Sequence, residues 1–211
     1  MEGNTKNTAV NIFTTMKSPS VSPAHFYAAD GDSLAPKTDM KVTLQSPATF
    51  WWKIADKDGN VVRTFVNALD AAAGQQTASW DGKDQLGNYV PDGTYYSVTT
   101  TETASGSYYH SLPIDVKAFR LTTAAAMPLK KGSKVKFFVF TAEPLSGRPK
   151  VRVTWPGVAP KTFSTSAVAT GGFSVAITMP ATAQAGQVQF RVQGTDTGAK
   201  FQFTYFYMPL Q

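Results

Sequence analysis

Residues 80–95 read WDGKDQLGNYVPDGTY, and this stretch decides the fold. Its Asp-Gly and Gly-Asn pairs supply residue types that tolerate the positive φ angles of tight turns. Its Pro-Asp-Gly triplet fits a turn with Pro in the second position. Trp80 and Tyr95, at the two ends, are large enough to fill part of a sandwich core. The stretch therefore predicts two tight turns between β-strands, and it contains no catalytic motif.

Strand patterns continue on both sides of this stretch. Phe50, Trp52 and Ile54 share one face of a predicted strand and Trp51 lies on the other face, since side chains alternate along a strand. The Ala-rich segment 68–74 is predicted to be a loop. About seven short strands, punctuated by Gly or Pro, are predicted in each half of the chain, which favours an all-β fold of two tandem immunoglobulin-like or fibronectin-III-like β-sandwiches.

Composition sets further bounds on the 211 residues. The chain has 42% hydrophobic and 16% charged residues, so a core can form. It has no cysteine, which excludes disulfides, thiolate metal sites and a cysteine nucleophile. No run of about 18 apolar residues is present, so no transmembrane helix is predicted.

The net charge of +6 is unevenly distributed. Residues 1–117 hold 9 Lys and Arg against 12 Asp and Glu, a net charge of −3, whereas residues 118–211 hold 11 against 2, a net charge of +9. The asymmetry supports two domains and gives the second a positive field. We predict a tail or first strand at 1–17, a first domain at 18–117 and a second domain at 118–211.

The motifs of the first half resemble a known family. The segments 54–64, 73–74, 80–88 and 90–95 match, in order and spacing, the immunoglobulin-like domain of the flagellar hook-capping protein family, over residues 38–102. Related domains occur in secreted bacterial multidomain proteins, which extends the resemblance to 18–117. The resemblance implies an immunoglobulin-like fold and, as one alternative, a flagellar hook-capping assembly scaffold. The second half does not resemble the Tudor-like partner of that family and looks like a generic bacterial immunoglobulin-like domain.

Two groups of acidic residues are candidates for a metal site. Asp30, Asp32 and Asp39 could bind Ca²⁺, which takes clustered carboxylate and carbonyl oxygens. Their spacing lacks the twelve-residue Glu-terminated loop, so solvated turns are the simpler interpretation and no cofactor is predicted. A turn role is also predicted for the acidic residues of the opening stretch, Asp81, Asp84 and Asp92.

No catalytic constellation is recognisable in the sequence. His25 and His110 are the two histidines, and both lie near aromatic residues. The chain has no Gly-x-Ser-x-Gly elbow and no His-Glu-x-x-His motif. We therefore predict structural histidines, no catalytic residues and no enzymatic activity.

Basic residues of the second half form two clusters that suggest a ligand. The predicted ligand-binding residues are Lys130, Lys131, Lys134, Lys136, Arg148, Lys150, Arg152 and Trp155. Such a stripe suits an anionic polymer such as teichoic acid or an acidic polysaccharide. No nucleic-acid motif accompanies the charge, so a specific nucleic-acid partner is not predicted. The alternative is a solubility face with lysines that protect a sheet edge.

Aromatic residues of the first half leave another alternative open. Exposed members of the pairs Tyr95-Tyr96 and Tyr108-Tyr109, or Trp51, could stack on sugar rings, as in the accessory carbohydrate-binding module of a secreted enzyme. Cross-strand aromatic pairing explains the same residues equally well. We predict a structural or adhesive module of a bacterial surface or secreted protein, partnered by other protein domains or by anionic cell-surface polysaccharide. Its location is expected to be extracytoplasmic, with a signal peptide missing from this sequence.

Overall fold

The computed structural model describes residues 15–169 and 171–211, and the regular elements in this part of the chain are all strands. Residues 1–14 of the tail or first strand predicted at 1–17 lie outside the described residues. The strands are β1 (Met16–Ser22), β2 (His25–Phe26), β3 (Thr38–Leu44), β4 (Ala48–Ala55), β5 (Val61–Ala71), β6 (Gly74–Trp80), β7 (Gly93–Thr103), β8 (Gly106–Val116), β9 (Phe119–Thr123), β10 (Lys134–Thr141), β11 (Lys150–Trp155), β12 (Val158–Ser164), β13 (Ser166–Ala167), β14 (Phe173–Thr178), β15 (Gly186–Thr195) and β16 (Phe201–Leu210). The described part of the chain has no helix that is long and apolar enough to cross a membrane.

Strands β1 to β8 build the first β-sandwich. Its two sheets have the orders β1-β3-β6 and β2-β8-β7-β4-β5. The predicted face of β4 is confirmed, because Phe50, Trp52 and Ile54 are each at most 2% exposed. One hydrophobic core lies between these sheets and extends from Met16 to Val116 in the chain.

Strands β9 to β16 build the second β-sandwich, with sheet orders β13-β14-β10-β9 and β12-β11-β15-β16. Its separate core extends in sequence from Ala118 to Leu210. Phe137 of β10 and Phe190 of β15 meet across the two sheets, with ring centroids 4.9 Å apart. The all-β class and the immunoglobulin-like architecture predicted from the sequence are therefore confirmed.

Trp80 and Tyr95, the two ends of the stretch 80–95, pack in the core of the first sandwich. Trp80 is fully buried, and its ring packs edge-on against Phe26 at 5.8 Å and Tyr95 at 5.4 Å. Its indole N–H donates a 2.8 Å hydrogen bond to the carbonyl of Lys83. The Tyr95 hydroxyl donates a 2.8 Å bond to the carbonyl of Pro91, so both aromatic residues also fix the turns beside them.

Two turns of the first sandwich are each capped by an Asp side chain, in the same way. Asp84 Oδ1 accepts the backbone N–H groups of Leu86 and Asn88, both at 2.9 Å. Asp56 Oδ1 accepts those of Asp58 and Asn60 in the same way, also at 2.9 Å. The turn role predicted for Asp84 is confirmed by this geometry.

The prediction of a loop at 68–74 is wrong. Strand β5 continues to Ala71, and the register between Phe50 and Trp52 shifts where β4 pairs with β5. Ala68 absorbs this irregularity with a positive φ of 53°. Because the strand is irregular and mostly exposed, its sequence lacks the apolar alternation that normally marks a strand.

Candidate functional site

The outward face of the β12-β11-β15-β16 sheet is the candidate binding surface of the second sandwich. Register places Lys150, Gln193 and Phe203 in one row across neighbouring strands. A second row contains Arg152, Arg191 and Tyr205, and a third contains Thr154, Gln189 and Tyr207. We call these nine residues the basic–aromatic face.

Two arginines lie directly opposite each other in the middle row. Arg152 pairs with Arg191 across β11 and β15, and like charges in this position destabilise a sheet. The second half of the chain has only two acidic residues, Glu143 and Asp196, and both are buried elsewhere. No carboxylate of this sandwich therefore neutralises the two guanidinium groups on this face.

Aromatic side chains extend the face along the edge strand β16. Phe203, Tyr205 and Tyr207 are 41%, 44% and 60% exposed, and Phe201 beyond them is 56% exposed. The Arg191 guanidinium carbon lies 4.6 Å from the centre of the Phe203 ring, which is cation–π geometry. Gln189 Nε2 donates a 3.0 Å hydrogen bond to the Tyr207 hydroxyl, so the aromatic groups are positioned by their neighbours on β15.

A pocket of about 230 Å³ adjoins one end of the face. Arg148, Lys150, Gln193 and Phe201 contribute to its walls. The predicted ligand residues Arg148, Lys150 and Arg152 are thus exposed on one side of the sandwich, together with aromatic side chains.

The structure separates the two basic clusters that the sequence placed in one site. Lys134 and Lys136 point outward from β10, in the opposite sheet, and Lys130 and Lys131 are exposed in the turn before that strand. Phe138 lies beside Lys136 on that face but is only half-exposed, with the ammonium group 5.2 Å from the ring centre. A single ligand surface that includes both clusters is therefore not present.

The prediction that Trp155 binds a ligand is wrong. It is 4% exposed and packs edge-on against Phe163 at 6.1 Å, so it belongs to the core. Strand alternation explains this position, because Lys150, Arg152 and Thr154 point outward while Val151, Val153 and Trp155 point inward. Sequence reasoning noted the nearby charges but missed that this odd-numbered position faces the core.

The aromatic residues of β16 were missed as site residues. The segment 201–207 alternates aromatic with other residues, a pattern that also suits an inward aromatic face. The end of the strand fixes the other register, since Leu210 is buried and Phe206 and Met208 pack on the core. The position of Leu210 could have revealed this register. Alternate residues of a strand share a face, so a buried Leu210 places Phe203, Tyr205 and Tyr207 on the outward face.

The tyrosines proposed for sugar stacking do not form one surface in the first sandwich. Tyr95 is 7% exposed and belongs to the core, whereas Tyr109 is 63% exposed on β8. Tyr96, Tyr108 and Trp51 are half-buried. Trp51 lines an open groove with Lys53, Val66 and other residues of β4, β5 and β7.

An acidic cluster lies where the two sandwiches meet. Oxygen atoms of Asp30, Asp32 and Glu143 lie within 4.8 Å of one another. Asp32 Oδ1 accepts the Leu34 N–H at 2.7 Å, and Asp196 Oδ1 accepts the Lys200 N–H at 2.9 Å. Asp32 and Asp196 thus each have one oxygen fixed by the backbone, and the second oxygen, Oδ2, is not used by that bond.

Gln202 of β16 closes this cluster. Its amide Nε2 lies within hydrogen-bond distance of Asp30 Oδ2 at 2.7 Å, Asp196 Oδ2 at 2.7 Å and Glu143 Oε2. A primary amide has only two N–H donors, so three carboxylates compete for two hydrogens. Gln202 Oε1, Glu143 Oε1 and Asp32 Oδ2 are buried without a hydrogen-bond partner.

Burial raises the pKa of Glu143 to about 7, and the carboxylates of Asp30, Asp32 and Asp196 add to this shift, whereas the bond to Gln202 opposes it. The ion pairs within the described residues are Lys37–Asp39, Lys57–Asp58, Arg63–Asp81 and Lys117–Asp115. None of them supplies a cation to the cluster.

The other candidate acidic residues lie elsewhere. Asp39 is exposed, pairs with Lys37 at 3.4 Å and accepts a hydrogen bond from Ser79, so it does not join Asp30 and Asp32. Asp81 lies 3.4 Å from Arg63. Asp92 accepts a 3.4 Å hydrogen bond from the Thr204 hydroxyl and thus contributes to the contact between the sandwiches.

The histidines lie apart from each other. His25 begins β2, beside Asp115 of β8, and His110 lies within β8 opposite Thr99. Burial lowers the pKa of His25, which favours a neutral ring.

Comparison with known proteins shows similarity in the first part of the chain. Residues 29–106 match the family model of the FlgD Ig-like domain. Over 87 residues the chain is 36% identical to the basal-body rod modification protein FlgD of Salmonella typhimurium, and equally to that of Salmonella typhi. Each alignment covers 41% of this chain and 37% of the relative, so the match spans little more than a third of these proteins. The predicted resemblance of the first half is confirmed.

Solved structures show weaker similarity. A tetra-tandem repeat in the extending region of a large adhesion protein aligns with 92% of this chain and 50% of its own, at 12% identity and a TM-score of 0.34. A 1.5-MDa bacterial ice-binding adhesin aligns with 93% of this chain and 64% of its own, at 13% identity and a TM-score of 0.32.

Proposed function

We propose that this chain is a non-catalytic adhesive module of a bacterial surface or secreted protein, and that its second domain binds anionic cell-surface polysaccharide. The observation that carries the proposal is the Arg152–Arg191 pair, which lies beside exposed aromatic rings on a face with no carboxylate. A polyanion would relieve the repulsion between the two guanidinium groups.

The chemistry of the face suits a charged sugar polymer. Guanidinium groups form paired hydrogen bonds with carboxylate and phosphate oxygens. Phe203, Tyr205 and Tyr207 offer exposed rings along one strand, on which successive sugar rings can stack. The combination favours this face over the lysine-rich face of β10, where the nearest aromatic ring is only half-exposed.

Retention on an immobilised anionic cell-wall polysaccharide tests the proposal. We expect the wild-type chain to bind and the Arg152→Glu/Arg191→Glu variant to elute with the void volume. The matched control is Lys134→Glu/Lys136→Glu, which makes the same change in net charge on the opposite sheet and should retain binding. Loss of binding in the control alone would assign the ligand to the lysine cluster at 130–136 instead.

One further variant and one competitor separate sugar recognition from charge alone. Tyr205→Ala should weaken retention by at least about 5-fold, since aromatic stacking contributes about 1 kcal/mol or more. An oligonucleotide of similar charge density should compete poorly if the aromatic rings select sugars. Equal retention of the oligonucleotide and the polysaccharide would indicate a polyanion surface without sugar selectivity.

The FlgD match favours a second candidate function, an assembly scaffold of the flagellar hook cap. The family-model match covers residues 29–106, which lie in the first domain. Expression of the chain in a strain that lacks its hook-capping protein tests this candidate, with restored hook assembly as the supporting result. Failure to restore hooks, in cells that accumulate the folded chain, would leave adhesion as the better account.

A further inference from the structure

We propose that the junction between the two sandwiches is a Ca²⁺ site, formed by Asp30 and Asp32 of the first domain and Glu143, Asp196 and Gln202 of the second. These residues come from three separate loops and one strand, and the fold brings them to one point. The site is distinct from the basic–aromatic face and does not depend on the function proposed for that face.

The distances suit one central cation. Ca²⁺ binds oxygen ligands at about 2.3–2.6 Å, so ligands on opposite sides of one ion are separated by about 5 Å. Oxygens of Asp30, Asp32 and Glu143 lie within 4.8 Å of one another. Asp196 joins the same group through Gln202, whose amide contacts three of the four carboxylates.

Orphaned polar atoms provide an independent observation. Gln202 is 1% exposed and Glu143 is 2% exposed, and each has a side-chain oxygen without a hydrogen-bond partner. Leaving a buried acceptor unpaired is costly, and a cation is a partner that satisfies several acceptors at once. A half-turn of the Gln202 amide exchanges its two ends and would direct Oε1 toward the ion.

The distribution of acidic residues also supports a cation at the junction. The second domain has 11 basic residues and two acidic residues, and it buries both acidic residues here, against two more from the first domain. Gly198 permits this approach, since a Cβ at that position would lie 2.5 Å from Asp32 Oδ2 and 3.2 Å from Asp196 Oδ1. Two buried carboxylates and two partly buried ones repel each other at this point unless a cation or a proton is shared among them.

The ligand set selects the ion. All donors are oxygen atoms, which suits Ca²⁺ and Mg²⁺ rather than Zn²⁺. The carboxylates come mostly from irregular loops, which suits the flexible geometry of Ca²⁺ better than the strict octahedron of Mg²⁺. Bound Ca²⁺ would link the loop at 28–34 to the loops at 142–149 and 196–200, and it would hold the two sandwiches in one orientation.

Calorimetric titration of the full chain with CaCl₂, after EDTA treatment and dialysis, tests the proposal. We expect one Ca²⁺ per chain, weaker binding of Mg²⁺, and a rise in unfolding temperature of about 5 °C or more at a Ca²⁺ concentration about 100-fold above Kd. The Asp32→Asn/Glu143→Gln variant should lose at least about 100-fold in affinity.

Two controls make this result decisive. Asp39→Asn changes an acidic residue of the same segment outside the cluster and should bind Ca²⁺ like the wild type. The double variant should remain folded, because neutral amides relieve the repulsion in the metal-free protein, and its unfolding temperature should not respond to Ca²⁺. The proposal is overturned if Ca²⁺ neither binds nor stabilises the wild type, as expected of carboxylates that share a proton, or if the double variant binds normally.

Discussion

Trp80 shows how one residue of the opening stretch serves both packing and turn geometry. Its ring contacts Phe26 and Tyr95, while its N–H holds the carbonyl of Lys83 in the turn that follows. Size and flanking glycines made this role predictable from the sequence. The hydrogen bond to Lys83 was not predictable, because it depends on how the loop folds back.

Replacement of Trp80 by Phe should lower the free energy of unfolding of the first domain by about 2 kcal/mol, through a cavity and a lost hydrogen bond. Urea denaturation followed by circular dichroism measures this change. The matched control is Trp51→Phe, on the half-exposed face of β4, which should cost less than about 1 kcal/mol. Equal losses in the two variants would contradict the core role of Trp80.

His25 predicts a pH dependence of stability. Burial lowers its pKa below the ordinary value of 6.5, opposed by a hydrogen bond with the backbone of Lys117 and by the charge of Asp115, and assisted by the charges of Arg120 and Lys117. Below pH 6.5 the unfolded chain therefore binds more protons than the folded chain. The stability contributed by the neutral ring is complete above that pH and is lost as the pH falls toward the folded pKa.

We expect the urea midpoint of the wild type to fall between about pH 7 and pH 5 more steeply than that of His25→Gln. The control is His110→Gln, which leaves His25 in place and should retain the steep fall. Parallel pH profiles for wild type and His25→Gln would show that His25 does not contribute.

Strands differ in how clearly their sequences show which residues are buried. The alternation in β4 correctly predicted which residues are buried, because the inward residues are strongly apolar and the outward ones are mixed. In β16 both sets contain aromatic residues. Gln202 and Thr204 are buried, where Gln202 bonds to Asp30 and Glu143 and Thr204 bonds to the backbone of Phe119. Those partners lie far away in sequence, so local alternation could not reveal the outward aromatic row.

An inward Phe of β15 and an outward Phe of β16 should differ in how much stability is lost when each is replaced by Ala. Phe190→Ala should destabilise the second domain by about 3–5 kcal/mol, since its ring is fully buried against Phe137. Phe203→Ala, on the adjacent strand, should change stability by less than about 1 kcal/mol. Thermal unfolding of both variants measures the difference, and a large loss for Phe203→Ala would show that the aromatic row is structural.

At the scale of the whole molecule, the sequence predicted the difference in charge between the two domains but not the contact between them. The excess of basic residues in the second half was evident from counting. The junction cluster was not, because Asp30 and Gln202 are 172 residues apart. The same limit applies to the basic residues, since the sequence could not show that Lys134 and Arg152 belong to opposite sheets.

The electrostatic part of the proposed adhesion predicts a salt dependence. Exposed charges are screened more strongly as ionic strength rises, so polysaccharide retention should weaken steadily between about 0.05 and 0.5 M NaCl. The Tyr205→Ala variant should keep a similar slope at lower affinity, because it loses stacking and not charge. Affinity measured across this salt series by biolayer interferometry checks both statements, and salt-independent retention would contradict an anionic ligand.

Chemical-shift mapping tests the central claim most directly. The ¹⁵N-labelled chain is titrated with a soluble oligosaccharide of the anionic polymer, and amide shifts are followed in both sheets of the second domain. We predict shifts concentrated at the rows of Arg152, Arg191 and Tyr205 on β11, β15 and β16, with little change around Lys134 and Lys136 on β10. Shifts confined to β10, or no shifts at saturating oligosaccharide, would contradict the account.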